Sequence, residues 1–178
     1  FYNKNRMSKF SLLFFLWFCF GNVFAQDDFL AKQYYNDGDF KKAVVFYERL
    51  VVKNPGRADY TEGLIGCYQQ LERFGDAQEF LLKKLEEPNA QAVLYVELGY
   101  NYTLQQLPEK ALENYNRAIS KIDENPNYGY IIGIRIQKYA LLDYAIKAYT
   151  RGMELNPQMD LNFQLARIYG AQGDIEKM

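Results

Sequence analysis

Alanine returns at Ala43, Ala77, Ala111 and Ala145, each 34 residues after the last, and four other columns keep phase with it. Tyr34, Tyr68 and Tyr102 stand nine residues before the first three alanines, and Tyr47, Leu81, Tyr115 and Tyr149 stand four residues after each of the four. Leu30, Leu64, Leu98 and Ile132 form a further column, which Leu165 closes one residue early. The column Ala31, Ile65, Gly99, Gly133 and Ala166 follows it directly. A fixed period of this length means repetition of one supersecondary unit that cannot bury its apolar face alone and is stable only when stacked on its neighbours.

The local pattern inside one period is a pair of helices. Leu30, Ala31, Tyr34 and Tyr35 share one face at helical spacing, Asp37-Gly38-Asp39 interrupts with turn-forming residues, and Ala43, Val44, Phe46, Tyr47 and Leu50 resume the pattern. Asn54-Pro55-Gly56 stops the second helix, Pro157 ends the fourth repeat in the same way, and Pro108 opens a helix at its first turn, where a missing donor costs little. The order Leu-small, Tyr, Ala, aromatic at this period resembles the tetratricopeptide repeat family. The resemblance implies an all-α solenoid of antiparallel helix pairs wound into a right-handed superhelix. The expected repeats are about 26–57, 58–91, 92–125 and 126–158, with an incomplete fifth at 159–178. Small residues in the alanine column leave room for close helix approach, and the tyrosine columns are expected in the core.

Some positions depart from the pattern. Lys84 stands where other repeats have Leu50, Ala118 and Gly152, and Ile136 replaces a tyrosine, so looser interfaces are expected there. Gly129 and Gly133 each cost about 1 kcal/mol of helix propensity relative to Ala, so packing must hold their helix. The fifth repeat stops after its first helix, and an array needs a polar terminal unit, so the chain reads as the N-terminal fragment of a longer protein.

Residues 1–25 follow a different rule. Lys4, Arg6 and Lys9 precede an unbroken apolar run from Leu12 to Phe20, and Val23-Phe24-Ala25 closes the segment before Gln26. This resembles a secretory signal peptide starting at Met7, after upstream residues, and cleaved after Ala25. The 16 residues from Phe10 to Ala25 are fewer than the roughly 20 a membrane span needs, and Phe18 before Cys19 does not fit a lipoprotein signal. The protein is thus expected to be exported to the periplasm or cell envelope, or secreted. It would touch the membrane only through an uncleaved signal segment.

The segment holds three of the 21 basic residues and none of the 22 acidic ones, leaving 18 against 22 and a net charge of −4 for residues 26–178. No basic excess exists to displace counterions from phosphates, so nucleic acid is not an expected partner. Cys67 is the only cysteine left, which excludes an internal disulfide in the exported part.

Catalysis finds no candidates. The chain has no histidine, and its one serine after residue 25, Ser120, has no imidazole to activate it. No phosphate-cradling glycine motif occurs, and the Asn36-Asp37-Gly38-Asp39 run lacks the later acidic ligands of a calcium loop. Glu86-Glu87 and Asp123-Glu124 read as solvated helix ends, and Cys67 as a small core residue. No cofactor, metal or small-molecule substrate is expected.

What remains is a binding surface for a protein or peptide. The resemblance implies a concave groove lined by first helices, and the matching positions are Lys32, Tyr35 and Asn36, then Glu62, Gln69 and Gln70, then Val96, Tyr100 and Thr103, then Tyr130, Ile134 and Gln137. Amides can bond an extended backbone, and tyrosines offer apolar area at little entropic cost. Asp28, Gly63, Val93 and Glu97 occupy the places of a known carboxylate clamp of this family and do not reproduce it. The acidic tendency of Asp28, Asp59, Glu62 and Glu97 predicts a neutral or basic ligand segment. Two functions fit: a non-catalytic scaffold or adaptor of the bacterial envelope, or the sensory or scaffolding arm of a longer signalling enzyme.

Overall fold

The computed structural model describes residues 26–88 and 90–173, so the expected signal segment and residues 174–178 of the fifth repeat lie outside the described residues. Two compact bodies divide at Arg73 and Phe74. The N-terminal body holds α1 (residues 26–36), α2 (Phe40–Lys53) and α3 (Ala58–Gln70). The C-terminal body holds α4 (Phe74–Leu85), α5 (Val93–Leu104), α6 (Pro108–Ser120), α7 (Tyr128–Lys138), α8 (Leu142–Leu155) and α9 (Asn162–Gln172), with one 3-10 turn at Lys121–Asp123. The described residues contain no strand, and no described helix is long and apolar enough to cross a membrane. The fold is all-α, built from antiparallel helix pairs of the tetratricopeptide type. Contacts along α7 and α8 show the direction: Gln137 and Gly133 meet Tyr149, and Gly129 meets Gly152, so one number falls as the other rises.

The turns that reverse the chain repeat as faithfully as the core does. Gly38, Glu72, Gln106 and Ala140 follow one another at the same interval as the alanines, and all four have left-handed backbone, with φ of 76°, 57°, 60° and 59°. Each is followed by an amide that reaches back five residues to close the preceding helix: Asp39 to Tyr34 at 2.8 Å, Arg73 to Tyr68 at 2.8 Å, Leu107 to Tyr102 at 2.9 Å and Leu141 to Ile136 at 3.4 Å. This is the Schellman closure, in which the left-handed residue turns the chain so that a later amide satisfies an orphan carbonyl. Only the first of the four is glycine; the others hold a Cβ against the following carbonyl, which costs about 1–2 kcal/mol. Ala140→Gly is therefore expected to raise the urea midpoint, gaining roughly 0.5–1 kcal/mol after the greater backbone freedom of unfolded glycine is deducted. A lower midpoint would remove strain from this account of the turn.

The core follows the sequence columns. Ala43, Ala77, Ala111 and Ala145 are buried, as are Tyr47, Leu81, Tyr115 and Tyr149. Tyr68 and Tyr102 are buried too, while Tyr34 is half-buried and stacks on Phe46 at 5.7 Å. Each buried side chain of this size contributes roughly 1.5–3 kcal/mol through removal of apolar surface from water. Cys67 is fully enclosed, and burial pushes its thiol up to about 12, out of the reactive range. Most of the Lys84 side chain is buried, and its ammonium reaches Glu87 at 2.9 Å.

The glycines of α5 and α7 answer the propensity they forfeit. A Cβ at Gly99 would lie 2.5 Å from the Tyr115 ring, and one at Gly133 would lie 2.3 Å from the Tyr149 ring. The aromatic of each second helix thus lies directly on the bare backbone of its first helix. At Gly129 the approach is backbone to backbone, with a Cβ only 2.7 Å from Gly152 Cα. Gly152 removes the side chain that would hold α7 and α8 apart.

Candidate functional site

In the N-terminal body the expected groove residues are largely engaged. Lys32 is exposed, but its ammonium is 2.8 Å from Asp28 and 3.7 Å from Asp59, and the Asp28 hydrogen bond leads the effects that raise its pKa. Asp59 also takes both forks of Arg57, at 2.8 and 2.7 Å, which hold its carboxyl below the usual range. Glu62 and Gln69 are half-buried on α3. Tyr35 is half-buried between Phe40 and Tyr47, with its hydroxyl against Gly66, while Asn36 and Gln70 are exposed.

In the C-terminal body α5 and α7 are joined by a buried polar cluster. Glu97, on α5, is 3% exposed. Its Oε1 receives Arg135 Nη1 at 2.8 Å, and its Oε2 receives the Tyr139 hydroxyl at 2.6 Å. Tyr100 lies flat on Tyr139, with centroids 3.7 Å apart and planes 8° from parallel. Burial, followed by the Glu97 charge, drives the Tyr139 phenol far above its ordinary pKa, so it stays protonated and donates.

Those contacts correct two expectations. Asp28, Asp59 and Glu97 do not present free negative charge to a ligand, because Lys32, Arg57 and Arg135 already hold them. Val96 is fully buried and offers no surface, since it falls on the core side of α5. Thr103 and Gln137 are also partly committed: Thr103 Oγ1 lies 2.9 Å from the Tyr115 hydroxyl, and Gln137 Oε1 accepts from the Tyr149 hydroxyl at 3.0 Å.

The remaining expected residues stay open. On α7, Tyr130, Ile131 and Ile134 are 42%, 48% and 43% exposed, although Ile132 and Ile136 of the same helix are fully buried. On α9, Phe163 is 70% exposed, with the Arg167 guanidinium 5.9 Å from its ring centre. Tyr130 and Ile134 lie four residues apart and so share one stripe of α7. Sequence reading passed over Phe163, Arg167 and the Glu97-Arg135-Tyr139 cluster. A signal for the cluster was present: Arg135 and Tyr139 follow Glu97 by 38 and 42 residues, one period plus one or two helical turns.

No protein-family model matches the chain. The general transcriptional corepressor trfA of Dictyostelium discoideum is 25% identical over 130 residues, which is 72% of this chain but only 9% of that protein's length. Among solved structures, BtubC (BKLC) from P. vanneervenii is similar over 88% of this chain and 76% of its own, with 19% identity and a TM-score of 0.50. The MamA protein is similar over 88% and 86%, with 21% identity and a TM-score of 0.47. YrrB, described as a TPR protein with an unusual peptide-binding site, is similar over 83% and 76%, with 20% identity and a TM-score of 0.41. At these identities the likeness concerns the fold.

Proposed function

We propose that this chain, a solenoid of tetratricopeptide-type helix pairs, is an exported, non-catalytic scaffold that holds a peptide or partner helix against its first helices. The observation that carries this reading is the exposure of Tyr130, Ile131 and Ile134 on a helix whose core side is already filled by Ile132 and Ile136. Large apolar side chains kept in water beside a complete core mark a surface that gains by being covered. The basic, apolar and small-residue order of residues 1–25 supports export, which places the partner in the envelope or outside the cell.

One preparation tests both parts. Protein recovered from the envelope or medium of an expressing bacterium should begin at Gln26 by N-terminal sequencing, and a start at Met7 in the cytosol would end the export reading. Peptides selected from a displayed random library on that protein should lose at least about tenfold in affinity, about 1.4 kcal/mol, on Ile134→Asp. The circular dichroism should stay unchanged. Undiminished binding would move the site away from α7.

A further inference from the structure

Charge is distributed unevenly between the two sets of helices in the C-terminal body. The second helices are balanced: α6 carries Glu109, Lys110, Glu113 and Arg117, and α8 carries Asp143, Lys147, Arg151 and Glu154. The first helices are not. Neither α7 nor α9 contains any Asp or Glu, while α7 holds Arg135 and Lys138 and α9 holds Arg167. The only acidic residue of α5, Glu97, is consumed by Arg135. Lys138 and Arg167 are exposed, and among the described residues neither meets a carboxylate; each lies over a ring instead, Tyr139 at 5.6 Å and Phe163 at 5.9 Å.

The geometry brings this charge to an opening. Helices α5 and α7 approach closely, but no Cα of α9 comes within 8 Å of α7. Both helices pack on α8, whose Tyr149 lies against α7: its ring covers Gly133 and its hydroxyl donates to Gln137. With the one-residue shift that Leu165 introduces, Phe163 and Arg167 occupy in the fifth repeat the positions that Tyr130 and Ile134 occupy in the fourth, so α7 and α9 carry these exposed side chains on equivalent faces. Ile134 and Lys138 continue the Tyr130 stripe, and Phe163 shares the Arg167 face one turn away.

We propose that the cleft between α7 and α9 takes an acidic extended peptide, whose apolar side chains pack on Tyr130, Ile134 and Phe163 and whose carboxylates meet Arg167 and Lys138. The proposal rests on the reading of the first helices as the binding face and specifies its ligand. Guanidinium and carboxylate pair by parallel hydrogen bonds, and an arginine beside an aromatic is already oriented for that contact. An unpaired cationic pair at the rim would also speed encounter with a negative segment and reject a positive one.

The test uses the full chain and three fluorescein-labelled synthetic peptides with the same alternating Phe and Leu, interspersed with Glu, with Gln or with Lys. At low ionic strength the Glu peptide should bind at least about tenfold tighter than the Gln peptide, with the Lys peptide weakest. The advantage should shrink as salt shortens the screening length to about 8 Å. Lys138→Glu combined with Arg167→Glu should reverse the order. If the Lys or Gln peptide binds as tightly as the Glu peptide and Ile134→Asp still abolishes it, the charge assignment is wrong and the binding face stands. Loss of neither on Ile134→Asp, or no binding by any of the three, overturns the face and the ligand together.

Discussion

Arg135→Met is expected to destabilise the folded chain by about 3–5 kcal/mol, the cost of leaving one member of a buried ion pair uncompensated. Glu97 has almost no access to water, so once the guanidinium is gone its buried carboxylate loses the charge set against it at 2.8 Å, while the Tyr139 hydroxyl still donates to Oε2. Removing both charges should be far milder. The double variant Glu97→Leu, Arg135→Met replaces ions by apolar groups of similar size and is expected to recover most of the loss, because neither desolvation penalty is then incurred. Urea unfolding of the single and double variants makes the comparison. A loss below about 1 kcal/mol in the single variant would mean that the pair behaves as an exposed one, against its burial.

Gly129→Val should cost about 3 kcal/mol, although glycine inside a helix is ordinarily the weaker residue by about 1 kcal/mol. The added Cβ would meet Gly152 Cα at 2.7 Å and the Ala148 carbonyl oxygen at 2.9 Å, both backbone atoms that no rotamer change can move. The two helices would have to separate, and the packing of Tyr149 against Gly133 would open with them. Gly75→Ala is the control, because a Cβ there meets nothing within 4 Å. It should be neutral or slightly stabilising. A Gly129 variant as stable as the parent would show that α7 and α8 can be spaced more widely than they are.

The helix pairs and most of their core were legible from the columns alone. Ala43 through Ala145, and Tyr47 through Tyr149, recur because each repeat presents the same face to its neighbours, so a one-dimensional period encodes burial directly. The left-handed turns were visible only at Gly38. Glu72, Gln106 and Ala140 give no compositional sign of their backbone, and the matching interval becomes meaningful only when their φ angles are known. The partner-facing residues were the least legible. Exposed and engaged polar groups look alike in a sequence, which is why Glu97 read as a free acid and Gln137 as a free amide.

The sequence by itself determined the repeat, the pairing of helices within it and the apolar face of each, because these depend on periodicities of a few residues and on one constant interval. Tertiary structure alone decided which charges are spent internally, as in Glu97 with Arg135, and which stay exposed, as with Lys138 and Arg167. It also decided that α9 stands away from α7. The reason is physical: apolar burial adds up over a whole face and tolerates small displacements. An ion pair or a cleft depends on a few atoms from separate helices arriving within ångströms of one another.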